Sequence, residues 1–285
     1  MSLYRRIACL STEAVETLYA IGAQDLVAGI SGYSVYPPQA RREKPKISGF
    51  SSARIDRILA VQPDLVIGYS SLQAELCHAL AAAGVEVHLF SQRSVAGILQ
   101  MVRTLAALVD RRIQGEQLAG ALQLEIGLVA ARARRHASRP LVYFEEWDEP
   151  LISGIGWVSE LITIAGGTDA FADLAAHREA RQRIIADPAE VARRAPDIII
   201  GSWCGKKFRP ETLAARPGWD AIPAVRNGMV FEIKSPDILS PGPAAIRRGL
   251  PQIARLVEQW HAAAPGRLTA AGPDRGGAPP APHTD

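Results

Sequence analysis

The sequence predicts an α/β protein of two similar Rossmann-like lobes, each with a parallel sheet, joined by a long interdomain helix. Residues 56–68 and 190–201 share one pattern: an acid, a short amphipathic helix, Pro-Asp, a β-branched strand and glycine. Strands alternate with helices of about 10–15 residues, which is typical of parallel βαβ units. Two similar lobes imply a cleft between them, and ligands often bind in such clefts.

The first lobe is predicted over residues 1–93. Patterning and helix-end signals place strands at 6–10, 26–30, 65–67 and 85–90, and helices at 12–21, 54–61 and 72–83. Residues 31–50 contain Tyr33, Tyr36 and two prolines but no periodic pattern. We therefore predict that they form a long functional loop.

The interdomain helix is predicted over residues 94–138, where apolar residues recur at spacings of three and four. Strands and helices alternate again from residue 141, so the second lobe is predicted over 139–263. Residues 264–285 are rich in Gly, Pro and Ala without a core pattern, and they are predicted to be a disordered tail.

Composition limits the function classes. The chain has 285 residues, is 48% apolar and carries a formal net charge of +3, and we predict a monomer. No aromatic residues interleave with the arginines at 132–139, so no nucleic-acid partner is predicted. Residues 1–10 lack a signal-peptide apolar region. As written, the chain is predicted to be cytoplasmic, and periplasmic if a signal or the true start lies upstream.

Five blocks of the chain resemble one known family. They are GISGYSVYPP at 29–38, PDLV at 63–66, EEWDEP at 145–150, EL with AGG within 160–167, and SPGP at 240–243. The chain resembles the solute-binding proteins of ATP-driven (ABC) importers for cobalamin, siderophores and haem, and is most similar to the cobalamin-binding branch. The resemblance implies two lobes, a rigid interdomain helix and no cofactor. It also implies cobalamin or a related corrinoid as ligand, with haem or a ferric siderophore as alternatives.

The resemblance places aromatic ligand contacts on the first lobe. Tyr33 falls where cobalamin-binding members set an aromatic side chain against the corrin, and Phe50 and Tyr69 fall on two further aromatic positions. A corrin is broad and mostly apolar, so aromatic faces bury a large area against it. Core packing explains Phe50 or Tyr69 alone equally well, but three aromatics on loops after strands favour a ligand wall.

The second lobe supplies five further candidates for ligand contact. Trp147 and Trp157 flank an acidic and glycine-containing segment, and Trp203 follows the second repeated strand. The carboxyl ends of strands are the ligand edge of open α/β sheets. We interpret Lys206 either as a contact for a carboxylate or phosphate edge of the ligand or as part of a solvated basic surface. We interpret Asp237 either as a contact for a polar edge of the ligand or as a solvated acid in a loop.

No bare-metal site is predicted, because no His, Asp or Glu triad has a fixed spacing, and the three cysteines form no CxxC motif. Cys204 and His177 are secondary candidates for contact with the metal of a chelate. A small apolar filler for Cys204 and a solvated loop residue for His177 are the simpler interpretations.

Asp56 and Glu190 begin the repeated helices, one in each lobe. In importers of the resembled family, acids at these places dock onto arginines of the membrane subunits. The alternative needs no partner, because acids in the first turn of a helix are favoured by its dipole by about 0.3–1 kcal/mol each.

No phosphate-binding loop, nucleophile elbow or dinucleotide fingerprint occurs in the sequence. The acidic cluster at 145–149 suits acid–base chemistry, but we interpret it as a polar rim at the mouth of the cleft. We therefore predict a non-enzymatic binder of a large chelate that serves an ABC-type importer. A cytosolic corrinoid or metal-chelate carrier, a salvage enzyme and a ligand sensor with the same fold remain alternatives.

Overall fold

The structure is a computed structural model that describes residues 3–49 and 54–263. Its strands are β1 (Ile7–Cys9), β2 (Val27–Ser31), β3 (Lys46–Ser48), β4 (Leu65–Tyr69), β5 (Glu86–Phe90), β6 (Leu141–Asp148), β7 (Leu151–Ser153), β8 (Thr168–Asp169), β9 (Ile198–Gly201) and β10 (Val230–Glu232). The helices of the first half are α1 (Thr12–Ala20), α2 (Pro38–Glu43), α3 (Ile55–Ala60), α4 (Ala74–Ala82), α5 (Val95–Leu108) and α6 (Arg112–Ala133). Those of the second half are α7 (Gly156–Ile164), α8 (Ala172–Ala175), α9 (Ala189–Arg194), α10 (Pro210–Ala214), α11 (Pro223–Arg226), α12 (Ser235–Ile238) and α13 (Leu250–Ala262), with a π-helical turn at Ala245–Gly249.

The two sheets share one topology, which confirms the prediction of two similar lobes. The first sheet is parallel throughout, in the order β3-β2-β1-β4-β5. In the second sheet, β8-β6-β9-β10 repeats the order β2-β1-β4-β5. The second sheet also contains β7, which pairs with β6 in the antiparallel direction and which the prediction of parallel sheets did not include. Only two residues separate β6 from β7, and so short a connection permits only a hairpin.

The repeated Pro-Asp pair has the same structural role in both lobes. The carboxylate of Asp64 accepts the backbone N–H of Arg5 at 2.6 Å and of Arg6 at 2.9 Å, at the start of β1. The carboxylate of Asp197 accepts the backbone N–H of Leu141, the first residue of β6, at 2.9 Å. In each lobe, one aspartate therefore satisfies donors at the beginning of the central strand and aligns that strand with its neighbour.

The segment between the lobes consists of two helices. Helix α5 packs against helix α6, and the chain reverses at residues 109–111. Asp110 has φ 56°, a left-handed conformation that Asp tolerates better than most residues. The prediction of one continuous helix over 94–138 is therefore wrong. The long interdomain helix is α6, which has 22 residues and leads into β6.

Residues 31–50 are more regular than the sequence predicts. Pro38 begins the short helix α2, where a proline costs no hydrogen bond because the first-turn N–H groups have no helical partner. Strand β3 then adds an edge to the first sheet beside β2. The prediction of an irregular loop over this whole segment is therefore wrong. Within the described residues, no helix is both long and apolar enough to cross a membrane.

Gly115 offers a test of the contact between α5 and α6. A Cβ added there would stand 2.3 Å from the Cβ of Ala106, so Gly115→Ala forces the two helices apart. We expect the free energy of unfolding to fall by about 1–3 kcal/mol in urea denaturation. Gly120 lies on the same helix but faces open space. Gly120→Ala is therefore expected to raise the free energy of unfolding by about 0.5–1 kcal/mol. Equal effects of the two substitutions would refute this account of the packing.

Candidate ligand-binding site

The two lobes meet at the carboxyl ends of their central strands. Three hydrogen bonds join the segments that follow β1, β2 and β5 to the segment after β10. They run from Oγ1 of Thr12, the first residue of α1, to Ser240 Oγ at 2.8 Å, from Tyr36 Oη to Asp237 Oδ1 at 2.7 Å, and from Gln92 Nε2 to the Pro241 carbonyl at 2.8 Å. In open α/β sheets this edge is the usual ligand side. The lobes therefore touch beside the predicted cleft.

Tyr69 ends β4 and is 8% exposed. Its hydroxyl donates to the Gln92 carbonyl at 3.2 Å and also accepts from Arg93. The Arg93 guanidinium carbon lies 4.9 Å from the centre of the tyrosine ring, and its Nε is buried without a hydrogen-bond partner among the described residues. Burial lowers the pKa of Arg93, and two further arginines, Arg178 and Arg183, act in the same direction. Tyr69 therefore lies beside a positively charged side chain, Arg93, whose Nε–H has no hydrogen-bond partner among the described residues.

Tyr33 is the most accessible of the predicted aromatic contacts that the structure describes. It follows β2 and is 55% exposed, and its backbone N–H bonds to Ser31 Oγ at 3.3 Å. An exposed aromatic face at a strand end has apolar surface available to a ligand. Phe50, the third predicted aromatic of this lobe, lies outside the described residues.

In the second lobe, the fold brings Trp147, Trp203 and Lys206 together. The Lys206 ammonium lies 5.8 Å from the ring centre of Trp147 and 5.2 Å from that of Trp203, and it bonds to Asp148. Trp147 is half-buried and Trp203 is 4% exposed. These side chains, which we call the Trp–Lys cluster, come from the ends of β6 and β9. They combine apolar surface with one positive charge.

The buried carboxylate of Glu145 holds Trp203 of this cluster in place through a hydrogen bond. This carboxylate is fully buried and accepts from both terminal nitrogens of Arg216 at 2.6 and 2.9 Å, from the Tyr143 hydroxyl at 3.0 Å and from the Trp203 indole at 3.1 Å. Burial raises the pKa of Glu145, and Arg216 opposes that shift. The interpretation of this acid as part of a polar rim is therefore wrong. Glu146 instead forms an ion pair with buried Arg183 at 2.6 Å.

Two predicted contact residues have other partners. Trp157 is 3% exposed in the core, and its indole N–H donates to the Ile238 carbonyl at 2.8 Å within the same lobe. Asp237 accepts from Tyr36 at 2.7 Å across the interlobe contact and from Gln252 at 3.1 Å. In this arrangement, Trp157 supports the core and Asp237 joins the lobes.

Cys204 and His177, the secondary candidates for contact with metal, are both exposed. Within residues 3–49 and 54–263, no three His, Cys, Asp or Glu side chains lie close enough together to hold a metal ion. Of the two, Cys204 is the nearer in sequence to the Trp–Lys cluster, because it directly follows Trp203.

Asp56 and Glu190 lie in the first turns of the equivalent helices α3 and α9. Asp56 pairs with Arg54 at 2.5 Å, and this contact lowers the pKa of its carboxyl. Glu190 pairs with Arg194 at 2.9 Å and Arg193 at 2.7 Å, which lower its pKa in the same way. Both acids are therefore ionised at neutral pH, and each is already paired with arginine.

Sequence reasoning missed Arg93, Arg216 and Tyr36. Arg93 had a usable signal, since it follows β5 at the same sheet edge as the predicted residues. Arg216 had none, because it lies 71 residues from Glu145 and only the fold joins them. Tyr36 lies in a predicted loop and in the block at 29–38, but neither indicates its bond to Asp237, which spans 201 residues.

Comparison with known proteins then identifies the family. The family described as periplasmic binding protein matches residues 7–236. The chain belongs to this family. A vitamin B12-binding protein of Vibrio parahaemolyticus is 28% identical to this chain over 246 residues, or 85% of each chain. A protein of the same name from Salmonella choleraesuis is 30% identical over 171 residues, which cover 59% of this chain and 63% of that relative.

Solved structures of the family have the same fold. The periplasmic heme-binding protein RhuT from Roseiflexus sp. RS-1 superposes with a TM-score of 0.77 at 25% identity, over 91% of this chain and 99% of that one. The periplasmic vitamin B12 binding protein BtuF of Vibrio cholerae superposes with a TM-score of 0.73 at 21% identity, over 90% and 98%. These similarities confirm the two-lobed architecture of the chain.

Proposed function

We propose that this protein binds a large metal chelate, cobalamin or a related corrinoid, between its lobes without transforming it. The observation that carries the proposal is the set of aromatic side chains at the ligand edge of both sheets: Tyr33 and Tyr69 on one lobe, Trp147 and Trp203 on the other. A corrin ring is wide and mostly apolar, so flat aromatic surfaces suit it. The vitamin B12-binding relative, which aligns along 85% of its length, supports the same ligand.

Haem is the second candidate. The match to a heme-binding protein at 25% identity favours it, and so does Arg93. A buried Nε–H without a partner among the described residues suits a carboxylate, which haem carries at its edge, whereas the corrin edge carries mainly amides.

We also infer a transport role. Asp56 and Glu190 hold equivalent positions on the two lobes, the first exposed and the second half-buried, and a pair of carboxylates suits basic patches on the membrane subunits of an ABC-type importer. Each acid already pairs with an arginine of this chain. On docking, it would exchange that arginine for one on the membrane subunit.

The ligand is tested by incubating the purified full chain with cobalamin, cobinamide, haem and a ferric siderophore, followed by gel filtration. We expect corrinoid absorbance to elute with the protein at one equivalent and with an unchanged spectrum. If the protein retains haem alone, haem and not a corrinoid is its ligand. Conversion of the chelate would identify an enzyme, and no retention of any chelate would overturn the proposal.

Tyr33 provides the sharpest mutational test of the cleft. Tyr33→Ala is expected to weaken chelate binding by about 1–3 kcal/mol, the loss typical of an aromatic anchor. Its side chain is 55% exposed, so folding should be unaffected. Ile113→Ala removes another exposed apolar side chain, on α6, and should bind as the parent does. Trp203→Ala is expected to weaken binding by a similar amount. If both aromatic variants bind normally in titration calorimetry, the ligand wall lies elsewhere.

A further inference from the structure

Helix α1 presents two carboxyl groups to the second lobe, that of Glu13, which is buried, and that of Glu16, which is half-buried. Glu13 is 4% exposed and packs on Gly242, where an added Cβ would stand 2.4 Å from the Cβ of Glu13. One turn later, Glu16 accepts the backbone N–H of Ala244 at 2.9 Å. The lobes therefore press an acidic helix face against the backbone of residues 242–244, which offers little solvation for two negative charges.

The hydrogen bonds at this contact leave part of the charge unbalanced. Glu13 Oε2 accepts from the Thr12 hydroxyl at 3.3 Å, and Thr12 also bonds to Ser240 across the contact. Glu13 Oε1 is buried without a hydrogen-bond partner in the part of the chain that the structure describes. Burial raises the pKa of Glu13, and the Glu13 backbone N–H and the hydroxyls of Thr12 and Ser11 oppose that shift without cancelling it. A neutral carboxylic acid is less costly there than a carboxylate, because a buried charge needs several donors.

The charged and titratable groups around the two acids do not neutralise them directly. Arg247 bonds to Glu125 at 3.3 Å, and the Arg248 guanidinium carbon lies 4.0 Å from the ring centre of Tyr36. The groups that act on one acid or the other are Asp237, Arg247 and Arg248 from the second lobe, and Cys9, Tyr36 and Arg93 from the first. Burial is the largest influence on both acids, and it raises the pKa of Glu13 and of Glu16 to about 7.

We propose that the interlobe contact at Glu13 and Glu16 is proton-linked, so that closure of the lobes takes up protons and acid favours the closed form. The contact lies outside the Trp–Lys cluster and involves neither Tyr33 nor Trp203. The proposal therefore concerns the movement of the lobes and holds whichever chelate is bound.

The direction follows from the difference between the closed and open forms. When the lobes separate, both carboxyls gain water, and their pKa values fall towards the ordinary value near 4.5. Between about 4.5 and 7, the closed form therefore binds more protons than the open form. Lowering the pH through 7 favours closure, and raising it above 7 removes that advantage.

The test measures the distance between the lobes without any ligand, so its failure is distinct from a failure of the chelate proposal. Fluorophores are attached to native Cys204, which is exposed, and to Leu72→Cys, at a position 72% exposed beyond β4; Cys9 and Cys77 are buried. Energy transfer is then recorded from pH 8 to pH 5. We expect the closed-to-open ratio to rise at least about tenfold, which corresponds to a pKa difference of one for a single group.

Glutamine mimics the neutral acid in shape and charge. The Glu13→Gln/Glu16→Gln variant is therefore expected to stay closed at every pH. Glu75→Gln removes an exposed carboxylate on α4 and should titrate as the parent does. A parent protein whose interlobe distance is the same at pH 8 and pH 5 would overturn the proposal. A double variant that titrates like the parent, or that stays open throughout, would also overturn it.

Discussion

Glu145→Ala is expected to lower the free energy of unfolding by about 3–5 kcal/mol, the cost of removing one partner from a buried ion pair. The carboxylate is 0% exposed and receives four hydrogen bonds. Without it, the Arg216 side chain, which is only 18% exposed, keeps its charge but loses its counter-ion. The Tyr143 hydroxyl and the Trp203 indole lose their acceptor at the same time.

Denaturation in guanidinium chloride measures this loss as a shift of the midpoint at constant slope. Glu179→Ala is the matched control, since it removes a glutamate from an ion pair with Arg181 in which both side chains are exposed. Exposed pairs contribute about 0–1 kcal/mol. If the two variants lose the same stability, the buried network does not stabilise the second lobe as described.

The single variant Trp157→Ala is expected to lower the free energy of unfolding by about 3–5 kcal/mol, which is typical of truncating a buried tryptophan. The ring is 3% exposed, and its N–H donates to Ile238 at 2.8 Å. The substitution therefore leaves a cavity beneath α7 and an acceptor without its donor. Trp157→Phe keeps much of the volume and should cost clearly less.

The same variants distinguish core packing from ligand contact at this position. If Trp157 supports the core, Trp157→Phe should bind the chelate as the parent does, and thermal denaturation should show the whole effect of Trp157→Ala. If Trp157→Ala kept its stability but lost binding, the ring would contact the ligand, as the sequence resemblance implies, and the packing account would be refuted.

The duplicated architecture was predictable because its signals are local. Each repeat carries its own helix, Pro-Asp pair and β-branched strand, and Asp64 and Asp197 have the same role in the two lobes. The break at Asp110 was not predictable, because no glycine or proline marks it and the apolar pattern continues on both sides. Packing of α5 on α6 favours a reversal there over a continuous helix.

The sequence by itself determined the two-lobed α/β plan and the sheet edge at which most of the predicted contact residues lie, because strand ends and helix ends are encoded by neighbouring residues. Only the tertiary structure decided how far each of these side chains is buried and which partner it contacts. Trp147, Trp157 and Trp203 are all predicted as ligand contacts from the sequence, yet the first is half-buried beside Lys206, the second lies in the core and the third is held by Glu145. Their directions depend on partners that are distant in the chain, so local residue patterns carry no signal for them.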